Sequence, residues 1–137
     1  IDTETGQVEV LNMAIAQDVG QALNPDSCNG QTYGGAIWGV GRSYLEREIF
    51  DPVTGVMLND YLCWYSGPTL LYYGPNIDTH LIENHLGWTV YGIYGIGESG
   101  SAVGANLAGP AVFNAIGKWI DDYPITPEKI LKALGKI

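Results

Sequence analysis

Gly95-Ile96-Gly97-Glu98-Ser99-Gly100 places one carboxylate inside a turn built from three glycines. Glycine carries no Cβ, so such a turn lets its backbone lie against another group at close range. Two readings of Glu98 stand side by side. In one, the carboxylate caps a helix or accepts from loop amides. In the other, it faces a ligand that the turn is shaped to meet. The glycines at 95, 97 and 100 also match the spacing of a dinucleotide-binding fingerprint. That fingerprint needs a strand before it, a helix directly after it, and a second strand ending in an acid about 20 residues on. Val90 to Ile93 supplies a strand, and Asp121 lies 21 residues beyond Gly100 (121 − 100). The segment before Asp121 reads as a helix, however, and only 16 residues follow it (137 − 121), too few for the rest of a sheet. Glu98 would also set a negative charge against a pyrophosphate. The nucleotide reading is set aside.

Outward from the turn, glycine remains the informative residue. There are 19 in 137 residues, gathered at 30–41 and 92–109 rather than spread with a collagen-like period. Between Asn29 and Leu45 the apolar positions Tyr33, Ile37, Val40 and Tyr44 follow a helical spacing. Gly34, Gly35, Gly39 and Gly41 sit inside that run. Each costs roughly 1 kcal/mol of helix propensity relative to Ala. Close contact with another backbone is the expected compensation, so these four read as packing residues.

The remaining elements follow from pattern. Val8 to Ala16 reads as a strand buried on both faces toward its end, closed by Asp18-Val19-Gly20. Asn24-Pro25-Asp26 reads as a turn. Glu46 to Phe50 and Val56 to Leu58 flank Asp51-Pro52-Val53-Thr54-Gly55 as a hairpin. Residues 59–76 read as irregular, Ile77 to Glu83 as a strand, and Asn84 to Gly104 as mostly loop. Pro110 reads as the first turn of a helix reaching about Ile120, with Asp121-Asp122 as its solvated end. Thr126-Pro127-Glu128 opens a last helix, with Thr126 as N-cap and Pro127 at its first position. The order of elements predicts one α+β piece over residues 1–137.

Composition narrows function. The chain is 46% hydrophobic and 15% charged, which fits a packed domain. A net charge of −9 with six Lys and Arg argues against nucleic acid and against an anionic membrane surface. No apolar run reaches the ~20 residues of a membrane span. Cys28 and Cys63 form neither a Cys-x-x-Cys pair nor a zinc spacing, and read as reduced, buried or half-buried thiols in a reducing compartment. His80 and His85 have no third ligand candidate nearby and read as ordinary residues. The Trp64-Tyr65 and Tyr72-Tyr73 pairs line a substrate funnel or pack on a partner chain. The start at Ile1, with no signal-peptide pattern, suggests a fragment, a processed product or a small subunit.

Several of these segments occur together in one family. Asp18-Val19-Gly20-Gln21-Ala22-Leu23-Asn24-Pro25, the glycine-rich helix opened by Gly30-Gln31, Gly95-Ile96-Gly97-Glu98, Pro110-Ala111-Val112-Phe113-Asn114-Ala115-Ile116 and Thr126-Pro127-Glu128-Lys129 stand in this order. The chain resembles the C-terminal end of the large molybdopterin-binding subunit of the molybdenum hydroxylases, the xanthine oxidase and aldehyde oxidoreductase group. The resemblance covers essentially the whole chain. There are two departures. Many relatives continue Gly-Glu with Pro-Pro, whereas this chain has Ser99-Gly100-Ser101, closer to the Gly-Glu-Ser of the carbon monoxide dehydrogenase branch. The family's large subunit is also several times longer.

The resemblance implies an oxidoreductase that hydroxylates an electron-poor carbon of an aldehyde, purine or N-heterocycle, with oxygen taken from water. It implies a molybdenum held by the dithiolene of a pterin (molybdopterin or its cytosine dinucleotide form), with no protein side chain as metal ligand. Glu98 would be the catalytic general base, since a hydroxyl acidified by its metal still needs a proton acceptor. Gln31 would bind the pterin through an amide that both donates and accepts, and Gly97, Ser99 and Ser101 would line it. Two cysteines cannot ligate a [2Fe–2S] cluster. Iron–sulfur clusters, and FAD where present, would then sit on partner subunits of a cytoplasmic complex, and this chain alone would be inactive. The alternative is a non-catalytic assembly subunit of such a complex.

Overall fold

The computed structural model describes residues 1–69, 76–84 and 88–137. Five elements follow one another: β1 (Met13–Asp18), α1 (Pro25–Tyr44), β2 (Ile77–Ile82), α2 (Ser99–Ile116) and α3 (Pro127–Ala133). β1 and β2 pair in parallel, from Met13 opposite Ile77 to Asp18 opposite Ile82. Parallel strands cannot be joined by a tight turn, and here α1 with the segment after it forms the crossover. The α+β class read from the sequence is the class observed.

β1 begins later than its apolar pattern suggests. Val8 and Val10 are half-buried and pack on the core, but lie outside the strand. Only one face of β1 is covered: Ile15 is buried, while Ala14, Ala16 and Asp18 are exposed. The two-faced burial expected for its end is therefore not found. β2 alternates in the same way, with Asp78, His80 and Ile82 on the exposed side. Its covered side meets α1, where Thr79 Oγ1 donates to Asn29 Oδ1 at 2.9 Å. Past β1, Gly20 adopts a φ of 63° beside Gly92. A Cβ there would run into the Gly92 carbonyl, so the Asp18-Val19-Gly20 turn needs glycine on both counts.

α1 is longer than its periodicity indicates. Asn24 is its N-cap, with Oδ1 accepting from the Ser27 amide at 3.0 Å, and Pro25 occupies the first position. What reads as a turn at Asn24-Pro25-Asp26 is thus a helix start. Gln31 lies in the second turn, not at the opening.

The crossing of α1 and α2 organises the molecule. Gly35 and Gly39 on α1 face Gly100 and Gly104 on α2. A Cβ at Gly39 would stand 2.5 Å from Ser101 O and 2.7 Å from Ala105 N; one at Gly35 would stand 2.8 Å from Ser101 N. One at Gly104 would meet Ala36 O at 2.7 Å. Two glycine pairs at i, i+4 spacing let the backbones touch. Gly41 packs against Glu46 and Pro68, as expected of a packing residue, but Gly34 borders open space.

This contact also explains α2. Residues 99–104 read as loop because four of them are Gly or Ser, yet they form the first turns of the helix. Tertiary packing overrides weak propensity here. Pro110 lies inside α2 rather than at a helix start, and the helix ends at Ile116, with Gly117 in the left-handed region as its cap. Asp121 and Asp122 follow in a loop, not at a helix end. Asp122 pairs with Lys129 at 3.0 Å.

The core lies at the far end of the crossing: Val40, Tyr44, Ala108, Val112, Ile120, Ile125 and Ile130. Ile125 N donates to Ser43 O at 2.7 Å, tying the loop before α3 to the end of α1. α3 begins as its sequence predicts, Thr126 Oγ1 accepting from Lys129 N at 3.4 Å with Pro127 first. The hairpin at 46–58 is confirmed in short form, by a Phe50–Met57 bridge and a turn in which Asp51 Oδ1 accepts from the Val53 and Thr54 amides, each at 2.8 Å. Those amides hold the Asp51 carboxyl below its ordinary range.

Candidate cofactor-facing site

Glu98 stands at the N-cap position of α2 with φ −93° and ψ 5°, and its side chain accepts no bond from the helix it precedes. It is exposed. The helix-capping reading therefore fails for its carboxylate. α1 and α3 are each closed by a side-chain cap, Asn24 and Thr126. α2 has no such cap and no acid in its first turn. No side chain of the helix or its N-cap offsets its positive dipole end through a cap hydrogen bond.

The turn itself is held by Ser101. Its amide and hydroxyl both donate to Glu98 O, at 2.9 and 2.7 Å. That hydroxyl proton is used within the chain, so Ser101 keeps only acceptor capacity toward a ligand. Ser99 differs. Its Oγ accepts from Gln17 Nε2, which leaves its own proton to donate outward. Gly95 and Gly97 have nothing within 4 Å of where a Cβ would stand. Unlike the crossing glycines, they border free space that a bound group can enter.

Gln31 reaches the same neighbourhood through the crossing. Its neighbour Thr32 has its carbonyl 3.1 Å from the Cβ position of Gly100, two residues past Glu98. Gln31 is exposed on α1. The predicted residues Gln31, Gly97, Glu98, Ser99 and Ser101 thus lie on segments joined at one backbone contact. Gln17 is the residue sequence reasoning missed. Its only signal is its place on the covered face of β1, one residue before Asp18.

The other singled-out residues lie elsewhere or serve structure. Tyr65 OH donates to Glu46 Oε2 at 2.9 Å, which raises the Tyr65 pKa. Trp64 is exposed and stands edge-on to Tyr61 at 5.6 Å. His80 is exposed on β2. Tyr72, Tyr73 and His85 lie outside the described residues. Cys28 is buried and Cys63 exposed, so burial holds for only one of the two thiols; both are free. Among the described residues no three His, Cys, Asp or Glu side chains converge as a metal set, and no helix is long and apolar enough to cross a membrane.

Residues 1–72 match the family model for the molybdopterin cofactor-binding domain. The chain is similar to the probable hypoxanthine oxidase of Escherichia coli K12, 31% identical over all of this chain and 14% of that protein. It is also 31% identical to the nicotine 6-hydroxylase large subunit of Paenarthrobacter nicotinovorans, over 97% of this chain and 16% of that one. Its fold superposes on quinoline 2-oxidoreductase from Pseudomonas putida 86 with a TM-score of 0.86 and 31% identity, covering 99% of this chain and 17% of that structure. The chain belongs to the molybdopterin cofactor-binding domain family of the molybdenum hydroxylases, and corresponds to a part of their molybdopterin-binding large subunit. It spans less than a fifth of the length of these relatives.

Proposed function

We propose that this chain, as the C-terminal part of a molybdopterin-binding domain, contributes the general base and one wall of the cofactor site of a molybdenum-dependent hydroxylase. The observation that carries this reading is the Glu98 carboxylate. It sits at an uncapped helix start, beside glycines that border open space, and accepts no bond from the helix it precedes. The Ser99 hydroxyl and the Gln31 amide are donors that suit a pterin, in either its simple or its cytosine dinucleotide form.

When bound, the molybdenum–pterin group supplies acidification of water and takes up the two electrons that leave the substrate carbon. Gln31 offers a side-chain amide that donates and accepts along the pterin ring. Ser99 would donate its hydroxyl proton to the bound group. Ser101 keeps the turn closed on Glu98 O, and Gly97 lets the backbone approach. Glu98 Oε receives the proton of the attacking water. The substrate is an electron-poor carbon of an aldehyde, purine or N-heterocycle, whose C–H bond is replaced by a bond to water-derived oxygen, with two electrons passing to the bound group and two protons released to solvent, one of them by way of Glu98. These electrons leave through [2Fe–2S] clusters, with or without FAD, on partner subunits. Two free cysteines accord with a reducing, cytoplasmic setting.

The test is Glu98→Gln in the assembled enzyme that contains this chain. Turnover should fall by about 10²- to 10⁴-fold, with subunit assembly and molybdenum content unchanged. Normal turnover would favour the non-catalytic assembly role instead.

A further inference from the structure

The structure assigns a positioning role to Gln17, as the latch that fixes the start of α2 and with it the direction of Glu98. This rests on the reading of Glu98 as the base. Gln17 is the last but one residue of β1 and is half-buried on the covered face of the sheet. Its Nε2 donates to Ser99 Oγ, across 82 residues of sequence. Its Oε1 lies 3.5 Å from Thr32 Oγ1, whose shorter bond, 3.1 Å, goes to Cys28 O. One amide therefore touches all three parts that meet at the site. It is anchored on the sheet, brushes α1 next to Gln31, and holds the residue that follows Glu98.

The need for such a latch follows from what stands after Glu98. Proline at the first position of a helix fixes φ without help. Ser99 has no such restriction, and it is followed by Gly100, which adds freedom. Glu98 itself makes no cap bond, so the helix it precedes does not orient its side chain. On its N-terminal side, the Cβ positions of Gly95 and Gly97 meet nothing within 4 Å. Orientation must come from the C-terminal side. There the crossing contact holds Gly100, Ser101 closes the turn on Glu98 O, and Gln17 is the side chain from another element that binds Ser99. Ser99 thus has two tasks: it accepts from Gln17 and keeps a proton for the ligand.

The experiment uses the holoenzyme containing this chain. Gln17→Met keeps the side-chain volume and removes both polar contacts; Ser99→Ala removes the acceptor. Each should lower kcat by on the order of tenfold to a hundredfold, the scale expected of a misplaced catalytic group. In Gln17→Met, KM and molybdenum content should stay unchanged and the acid limb of the pH–rate profile should move; Ser99→Ala, which also removes a cofactor donor, is compared with it for kcat alone. Because both substitutions break the same Gln17–Ser99 contact, their effects should be clearly less than additive in the double variant. Additive losses, an unaltered kcat and pH profile in Gln17→Met, or a fall in molybdenum content that accounts for the whole effect would overturn the assignment. Glu98→Gln run in parallel separates the two readings. If that variant is inactive and Gln17→Met is normal, only the latch is wrong; if Glu98→Gln turns over normally, the base itself is wrong.

Discussion

Two groups of glycines in this chain do opposite things. Gly35, Gly39, Gly100 and Gly104 are buried where α1 crosses α2, with backbone atoms occupying the volume a Cβ would need. Gly95 and Gly97, only a few residues away, have nothing near them. The first group brings two helices to backbone contact. The second leaves a clear approach beside an acid. The same sequence bias toward glycine therefore builds the support in one place and the opening in the next, and Glu98 lies at the boundary between them. A rigid crossing on one side and an unobstructed turn on the other is a sound arrangement for a group that must be held still while something reacts beside it.

Substitution separates the two groups most sharply. Gly39→Ala puts a methyl 2.5 Å from Ser101 O and 2.7 Å from Ala105 N. Both are backbone atoms of a packed helix and cannot swing aside. A cost of about 3 kcal/mol is expected, seen as a lower melting temperature and a poor yield of cofactor-loaded enzyme. The core at the far end of the crossing gives the next effect. Tyr44 is buried, and burial, with the neighbouring Tyr123 as a lesser cause, pushes its pKa from 10.0 up to about 12. The neutral phenol, whose hydroxyl donates to Ala108 O at 3.2 Å, is the form the fold accepts. Its folded-state pKa lies above the unfolded one, so the unfolded chain releases this proton first. The stabilisation is complete below pH 10 and is lost as pH rises from 10 to 12, by about 2 kcal/mol in all. Tyr44→Phe should flatten that alkaline limb in melting curves taken across the range.

Gly100→Ala comes third. Its methyl meets Thr32 O at 3.1 Å and Gly35 Cα at 3.4 Å, so neighbours shift only slightly. A loss of about 1 kcal/mol is expected in the same melting assay. The smallest stability change belongs to Gly97→Ala, within about 0.5 kcal/mol, because no atom stands in the way. That variant sharpens the contrast, since molybdenum–pterin content measured after purification should fall even though melting does not. If Gly97→Ala melted as low as Gly39→Ala, the two groups would not be distinct.

The difference between these regions also marks what the sequence discloses. α3 was legible because Thr126-Pro127 states a cap and a first residue in adjacent positions. Asn24-Pro25 states the same thing at the head of α1, yet Asp26 beside them reads equally well as a turn, so the helix start is easily set four residues late. The head of α2 carries no cap signal, because its cap is not in the chain's own side chains. A run of Gly and Ser has weak helix propensity, and only the partner helix makes it helical. Glu98, Gln31 and the serines could be picked out by residue type and by family resemblance. The meeting of their segments could not, since it depends on Thr32 touching Gly100 across the crossing. Gln17 was out of reach for the same reason: its bond to Ser99 joins two positions that share no pattern.

The most direct measurement is a structure of the complete enzyme with its molybdenum–pterin group bound. The account predicts the Glu98 carboxylate turned toward the metal, within about one water or one hydrogen bond of the reacting position, with Ser99 still held by Gln17. A carboxylate pointing into bulk solvent, with the pterin on a distant surface, would contradict it.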